Sequence, residues 1–139
     1  MADVEMLKGL IELPQPEAAL LLEAGYLFME MGKPKEAEEV FAGVAALLPH
    51  SEVALVALGN LEFSQGHYQR ALKHHQDALK VKPQSALAQA HVGEALLWLK
   101  KADDGVKALK KAMEMEPQGA SASFAKALLE AWEQGAIGR

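Results

Sequence analysis

The sequence predicts an all-α protein, a solenoid of three stacked helix pairs. Two observations carry that prediction. Half of the 139 residues are hydrophobic, and alanine and leucine outnumber the β-branched residues that strands favour. The chain also repeats itself at a fixed period. Pro49, Pro83 and Pro117 stand in strict register, as do Gly25, Gly59 and Gly93. Spacing of this length marks a supersecondary unit that buries its apolar side only by stacking on its neighbours.

Residues 2–13 read as the first element, a short amphipathic helix with Val4, Leu7, Leu10 and Ile11 on one side. Pro14 and Pro16 then break the chain. A helix this short is marginal alone, so it is expected to dock on the first repeat, on a second subunit or in the molecule's own groove. Residues 1–17 thus form an N-terminal helix and link within a single domain spanning 1–139. Three repeats follow, at 18–51, 52–85 and 86–119.

The middle repeat shows the pattern most plainly. Its first helix runs from about Glu52 to Gln65, with Leu55, Leu58 and Leu61 at helical spacing. Gly66 and His67 make the turn. The second helix runs from about Tyr68 to Lys82, with Ala71, His75, Ala78 and Leu79 on one side, and Pro83 ends it. In the first repeat Pro34 stands where the second helix starts, a place proline tolerates because that N–H lacks a partner anyway. Gly59 inside a helix costs roughly 0.5–1 kcal/mol relative to alanine. The expected compensation is close packing: Gly59 should face Ala71 across the pair while Ala78 presses on the next pair. In the third repeat Gly105 stands at the place of Ala71. That pair is expected to be the loosest, with Gly105→Ala raising the melting temperature. Residues 120–139 form a capping helix and tail, with Phe124, Ala127, Leu128 and Trp132 on one face and Gly135 closing the helix.

Several function classes are set aside by what the chain lacks. It has no cysteine, hence no disulfide framework and no thiolate metal site. No run approaches the roughly 18 apolar residues of a membrane helix, and the acidic N-terminus is unlike a signal peptide. The expectation is a cytoplasmic protein that engages neither membrane nor nucleic acid. Residues 1–62 carry three basic and eleven acidic residues, whereas 63–139 carry eleven basic and eight acidic. Lys100, Lys101, Lys107, Lys110 and Lys111 are interrupted by Asp103 and Asp104, which reads as a solvated helix face. His50, His67, His74, His75 and His91 show no metal-ligand spacing, and no phosphate loop, nucleophile elbow or dinucleotide fingerprint is present. The expectation is therefore no catalytic residue, no cofactor and no metal.

Leu58-Gly59, Gly66-x-Tyr68, Ala71, Ala78 and Pro83 resemble the tetratricopeptide repeat consensus in its 34-residue period. That resemblance covers about three quarters of the chain. It implies a right-handed solenoid whose first helices line a concave, peptide-binding groove. Carried onto this chain, the groove residues are Leu22, Tyr26 and Met29 with Ala19; Val56, Asn60 and Phe63 with Val53; and Ala90, Glu94, Leu97 and Trp98 with Leu87. The set is mostly apolar, which suits an extended peptide or amphipathic helix of a partner protein. The N-terminal helix or a homodimer mate is the other occupant such a face admits. The clamp by which some family members hold the terminal carboxylate of a heat-shock chaperone is missing. Its cationic and amide places hold Leu22, Tyr26, Ala57, Leu87 and His91 instead. The small three-repeat layout is also similar to bacterial type III secretion chaperones. That likeness implies a client-holding role, against the alternative of an assembly adaptor that docks a folded partner.

Overall fold

The computed structural model describes residues 15–137. The helix expected over residues 2–13 lies outside them. The described residues form seven α-helices and no strand: α1 (Gln15–Glu30), α2 (Pro34–Leu47), α3 (Val53–Ser64), α4 (Tyr68–Val81), α5 (Ala86–Trp98), α6 (Ala102–Met115) and α7 (Ala120–Glu133). The second helices begin at Pro34, Tyr68 and Ala102, each one repeat period after the last. Consecutive helices pack antiparallel as α1–α2, α3–α4 and α5–α6, and α7 lies on both α6 and α5. Each first helix also touches the first helix of the next pair. The fold is an α-solenoid.

Local chemistry sets the helix ends. Gly32, Gly66 and Gly135 adopt positive φ, at 72°, 80° and 76°, and close the helices they follow. In each case two backbone bonds run back into the helix, as from Gly66 N–H to Phe63 C=O and His67 N–H to Glu62 C=O. This turn needs a left-handed residue, which glycine supplies without steric cost. Lys100 takes the same place at φ 65° and makes the same bonds, its N–H to Leu97 C=O and the Lys101 N–H to Leu96 C=O. Pro16 lies inside the first turn of α1, so the link expected through residue 17 ends earlier. Ser85 caps α5, its Oγ accepting from the Ala88 N–H at 3.1 Å.

The close approach inside each pair involves different residues from those expected. A Cβ on Gly59 would run into the ring of His75, not first into Ala71. Gly25 meets the ring of Phe41 in the same way, and a Cβ on Gly93 would lie 2.6 Å from Cγ of Leu109. The glycine therefore makes room for one large residue on the second helix, at positions 41, 75 and 109, all fully buried. The expectation for Gly105 fails. A Cβ there would lie 2.9 Å from Cδ2 of Leu97 and 3.2 Å from the Gly93 carbonyl oxygen. Two glycines let α5 and α6 come together, and this pair shares the most extensive contact of all.

Between pairs the small residues act as expected. Ala78 is fully buried with Val56 and Ala88. On α7 the buried face is Ala122, Ala125 and Leu129, with Phe124, Leu128 and Trp132 half-buried beside it. Ala127 is exposed, unlike the expected cap face. It stands one repeat period beyond Gly93, on the side of α7 where a second helix would pack. Ser123, Lys126 and Glu130 share that side and are exposed too.

Candidate functional site

The first helices place their expected groove residues on one side of the stack, but not all at the surface. Leu22, Tyr26 and Met29 are half-buried and rest on the core formed by Ala37, Phe41, Ala57 and Leu61. Asn60, Phe63, Glu94 and Trp98 are also half-buried, and Val53 is exposed. Val56, Ala90 and Leu97 are at most 1 % exposed. They do not line an open face. Val56 is covered by the next pair through Ala88, and Ala90 and Leu97 are packed under α6 and α7 against Leu109, Ala112, Ala125 and Leu129. The capping helix closes over the third pair, so apolar residues at groove spacing become core there.

Two polar points and one aromatic cluster stand out on this side. The Asn60 side-chain amide donates to Tyr26 Oη at 3.0 Å, bridging equivalent positions on α1 and α3. Burial pushes the Tyr26 hydroxyl pKa up, and the Asn60 bond partly offsets that. The Tyr26 ring lies 5.0 Å from Phe41. Phe63 sits between Tyr68 at 4.9 Å and Trp98 at 5.1 Å, both edge-on, which joins the second and third pairs. Glu94 Oε1 lies 3.0 Å from His91 Nδ1. His91 is in turn stacked on His75 at 5.2 Å and tilted against Phe124 at 4.8 Å.

The sequence marks His75 as a core residue but does not show its environment. It is fully buried, and neither ring nitrogen has a hydrogen-bond partner. Burial, then the proximity of His91 and of His74, pushes its pKa down to about 3. The ring is therefore neutral at physiological pH and packs as an aromatic body. Tyr68 and His91 are the site-side residues that the groove spacing missed. They touch groove residues from a second helix and from the flank of α5, outside the spacing of a single helix face.

Among the described residues no group of three or more His, Asp or Glu side chains is placed to hold a metal ion, and no helix is long and apolar enough to cross a membrane. The side chains gathered here offer aromatic and aliphatic contact with a few hydrogen-bonding points, a surface suited to holding a segment of another molecule.

This architecture, helix pairs at a constant period with glycine against a large residue in each pair, defines a repeat protein of the helical solenoid class. The profile of the family described as Tetratricopeptide repeat matches residues 56–104. Tetratricopeptide repeat protein 21A of Mus musculus is 32 % identical over 104 residues, which is 75 % of this chain but 8 % of that protein. The chain is a tetratricopeptide repeat protein. Solved structures share the fold. The type III secretion translocator chaperone SycD of Yersinia enterocolitica superposes with a TM-score of 0.74 at 18 % identity, covering 94 % of this chain and 98 % of that one. SycD in complex with a peptide of the translocator YopD gives 0.69 at 17 %, covering 88 % and 96 %. The first repeat domain of Spaghetti (RPAP3), bound to the HSP90 peptide SRMEEVD, gives 0.66 at 21 %, covering 86 % and 98 %.

Proposed function

We propose that this chain is a non-catalytic binding module that takes an apolar or amphipathic segment of a partner protein along the face of its first helices. The observation that carries the reading is the row of half-buried Leu22, Tyr26, Met29, Phe63 and Trp98, with exposed Val53 among them and polar anchors only at Asn60 and Glu94. Aromatic and methionine side chains supply contact area that adapts to an extended or helical segment, and the two polar groups fix its register. The partner is not an acidic carboxylate-terminated peptide of the kind seen with RPAP3. Leu22, Tyr26, Leu87 and His91 offer no cationic fork here, and Ala57 is fully buried.

Two roles fit such a face. The likeness to SycD favours a client-holding chaperone in the cytoplasm. The alternative role is an assembly adaptor that docks a partner stable on its own. A photo-reactive residue placed at Val53, and at exposed Gln76 on α4 as reference, separates face from background. A partner cross-linked from Val53 and not from Gln76 supports the reading. Equal capture from both sites overturns it. Whether that partner precipitates when expressed alone then distinguishes chaperone from adaptor.

A further inference from the structure

The first helices carry carboxylates but neither lysine nor arginine. Glu17, Glu23 and Glu30 lie on α1, Glu62 on α3 and Glu94 on α5. The helical lysines and arginines of the described residues all lie on α2, α4, α6 and α7. Two of the carboxylates are accounted for within the chain. Glu17 sits in the first turn of α1, where the helix dipole favours a negative charge. Glu62 Oε2 lies 2.8 Å from His67 Nδ1 and 3.7 Å from Arg70 Nη1.

Glu23, Glu30 and Glu94 differ. Among the described residues, none of the three pairs with a lysine or an arginine. Glu23 and Glu30 are exposed and stand two repeat periods before His91 and Trp98. They border the row of Leu22, Tyr26 and Met29 along one edge. Glu94 lies within the row, at the repeat position of Tyr26 and Asn60. Its side chain is 13 % exposed, and its polar partner is His91, whose Nδ1 is 3.0 Å from Oε1. A carboxylate has room for further donors, and a cation brought to a half-buried one is held more strongly than in open water.

We infer that the segment held on this face is cationic as well as apolar. One side of it carries aliphatic or aromatic residues, and the other carries at least two lysines or arginines, one for Glu94 and one for the Glu23–Glu30 edge. The inference rests on the reading of this face as the binding side and adds the charge of its occupant. Distance sets the number of cations. Glu23 and Glu30 stand about 11 Å apart along α1, within reach of one basic side chain placed between them. Two helix spacings, about 16–20 Å, separate α1 from α5, so a single side chain cannot serve both ends. An extended segment covers that span in about 5–6 residues and a helical one in about 11–13. The same carboxylates disfavour acidic segments, because like charges facing each other across an interface oppose binding.

The probe is a phage-displayed library of random peptides long enough to cross the face as a helix, panned against the full chain. Selected peptides should combine apolar residues with lysine or arginine in excess over the unselected library. They should cross-link from Val53 and not from Gln76. Glu23→Gln, Glu30→Gln and Glu94→Gln together should weaken a selected peptide about tenfold or more, and added salt should narrow the difference. Glu36→Gln, Glu38→Gln and Glu39→Gln on α2 change the net charge equally and should leave binding within about twofold, the margin expected of screened exposed charges. Both triple variants should melt as the parent does. Apolar peptides without basic excess, or equal loss in the two triple variants, overturn the inference while the binding face stands. Peptides that cross-link equally from Val53 and Gln76, or no selection at all, overturn both.

Discussion

The ring of His75 occupies the space that a side chain on Gly59 would need. All three of the atoms nearest to a Cβ at that glycine belong to the imidazole. The two residues therefore form a single packing unit across α3 and α4. Gly59→Ala is predicted to lower stability by about 1–3 kcal/mol, the usual cost of overpacking a filled core. In chemical denaturation, a double variant with His75→Ala should recover part of that loss. Equal losses with and without the histidine would show that the two sites do not couple.

His75 is also predicted to make the fold acid-sensitive. Its folded pKa of about 3 lies below the ordinary 6.5. The unfolded chain thus binds a proton that the folded chain excludes. Stability from this group is complete above about pH 6.5 and is lost as pH falls towards 3, at up to about 1.4 kcal/mol per pH unit. His75→Phe, the residue that repeat position holds in α2, should raise stability at pH 7 by about 1–2 kcal/mol, because it removes two unpaired buried nitrogens. The melting curve should then change less between pH 6.5 and about pH 4.5. A steeper pH dependence in the variant would refute the assignment.

Gly105→Ala is predicted to destabilise, against the expectation from helix propensity. The new methyl would meet Leu97, which is fully buried, and the carbonyl oxygen of Gly93. Backbone cannot give way as a flexible side-chain end can. A loss of about 1–3 kcal/mol is expected, read as a lower melting temperature. A rise would mean that the α5–α6 contact is slack.

Lys100 holds a left-handed conformation that its two counterparts assign to glycine. Lys100→Gly should relieve that strain and stabilise by about 0.5–1 kcal/mol, despite glycine's larger unfolded-state entropy. Thermal melting of the single variant checks this. A drop would mean that the lysine makes a compensating contact.

The helix pairs, their period and their ends are legible in the order of residues alone. Those features are local: Gly32 and Gly66 set a turn whatever surrounds it, and Pro34 starts a helix wherever it stands. Stacking is legible too, because an apolar side repeated in every pair has to be covered. Which small residue faces which large one emerges only from packing. Gly59 and Ala71 are both small and both on the inner side, and the choice of His75 over Ala71 depends on how the two helices cross. The same holds for the site. Met29 and Leu97 stand at the same repeat position and are both large and apolar, yet one stays half-buried while the other is sealed. Periodicity assigns a residue to a face of its own helix. Only the neighbours that pack there, here α6 and α7, decide whether that face is surface or core.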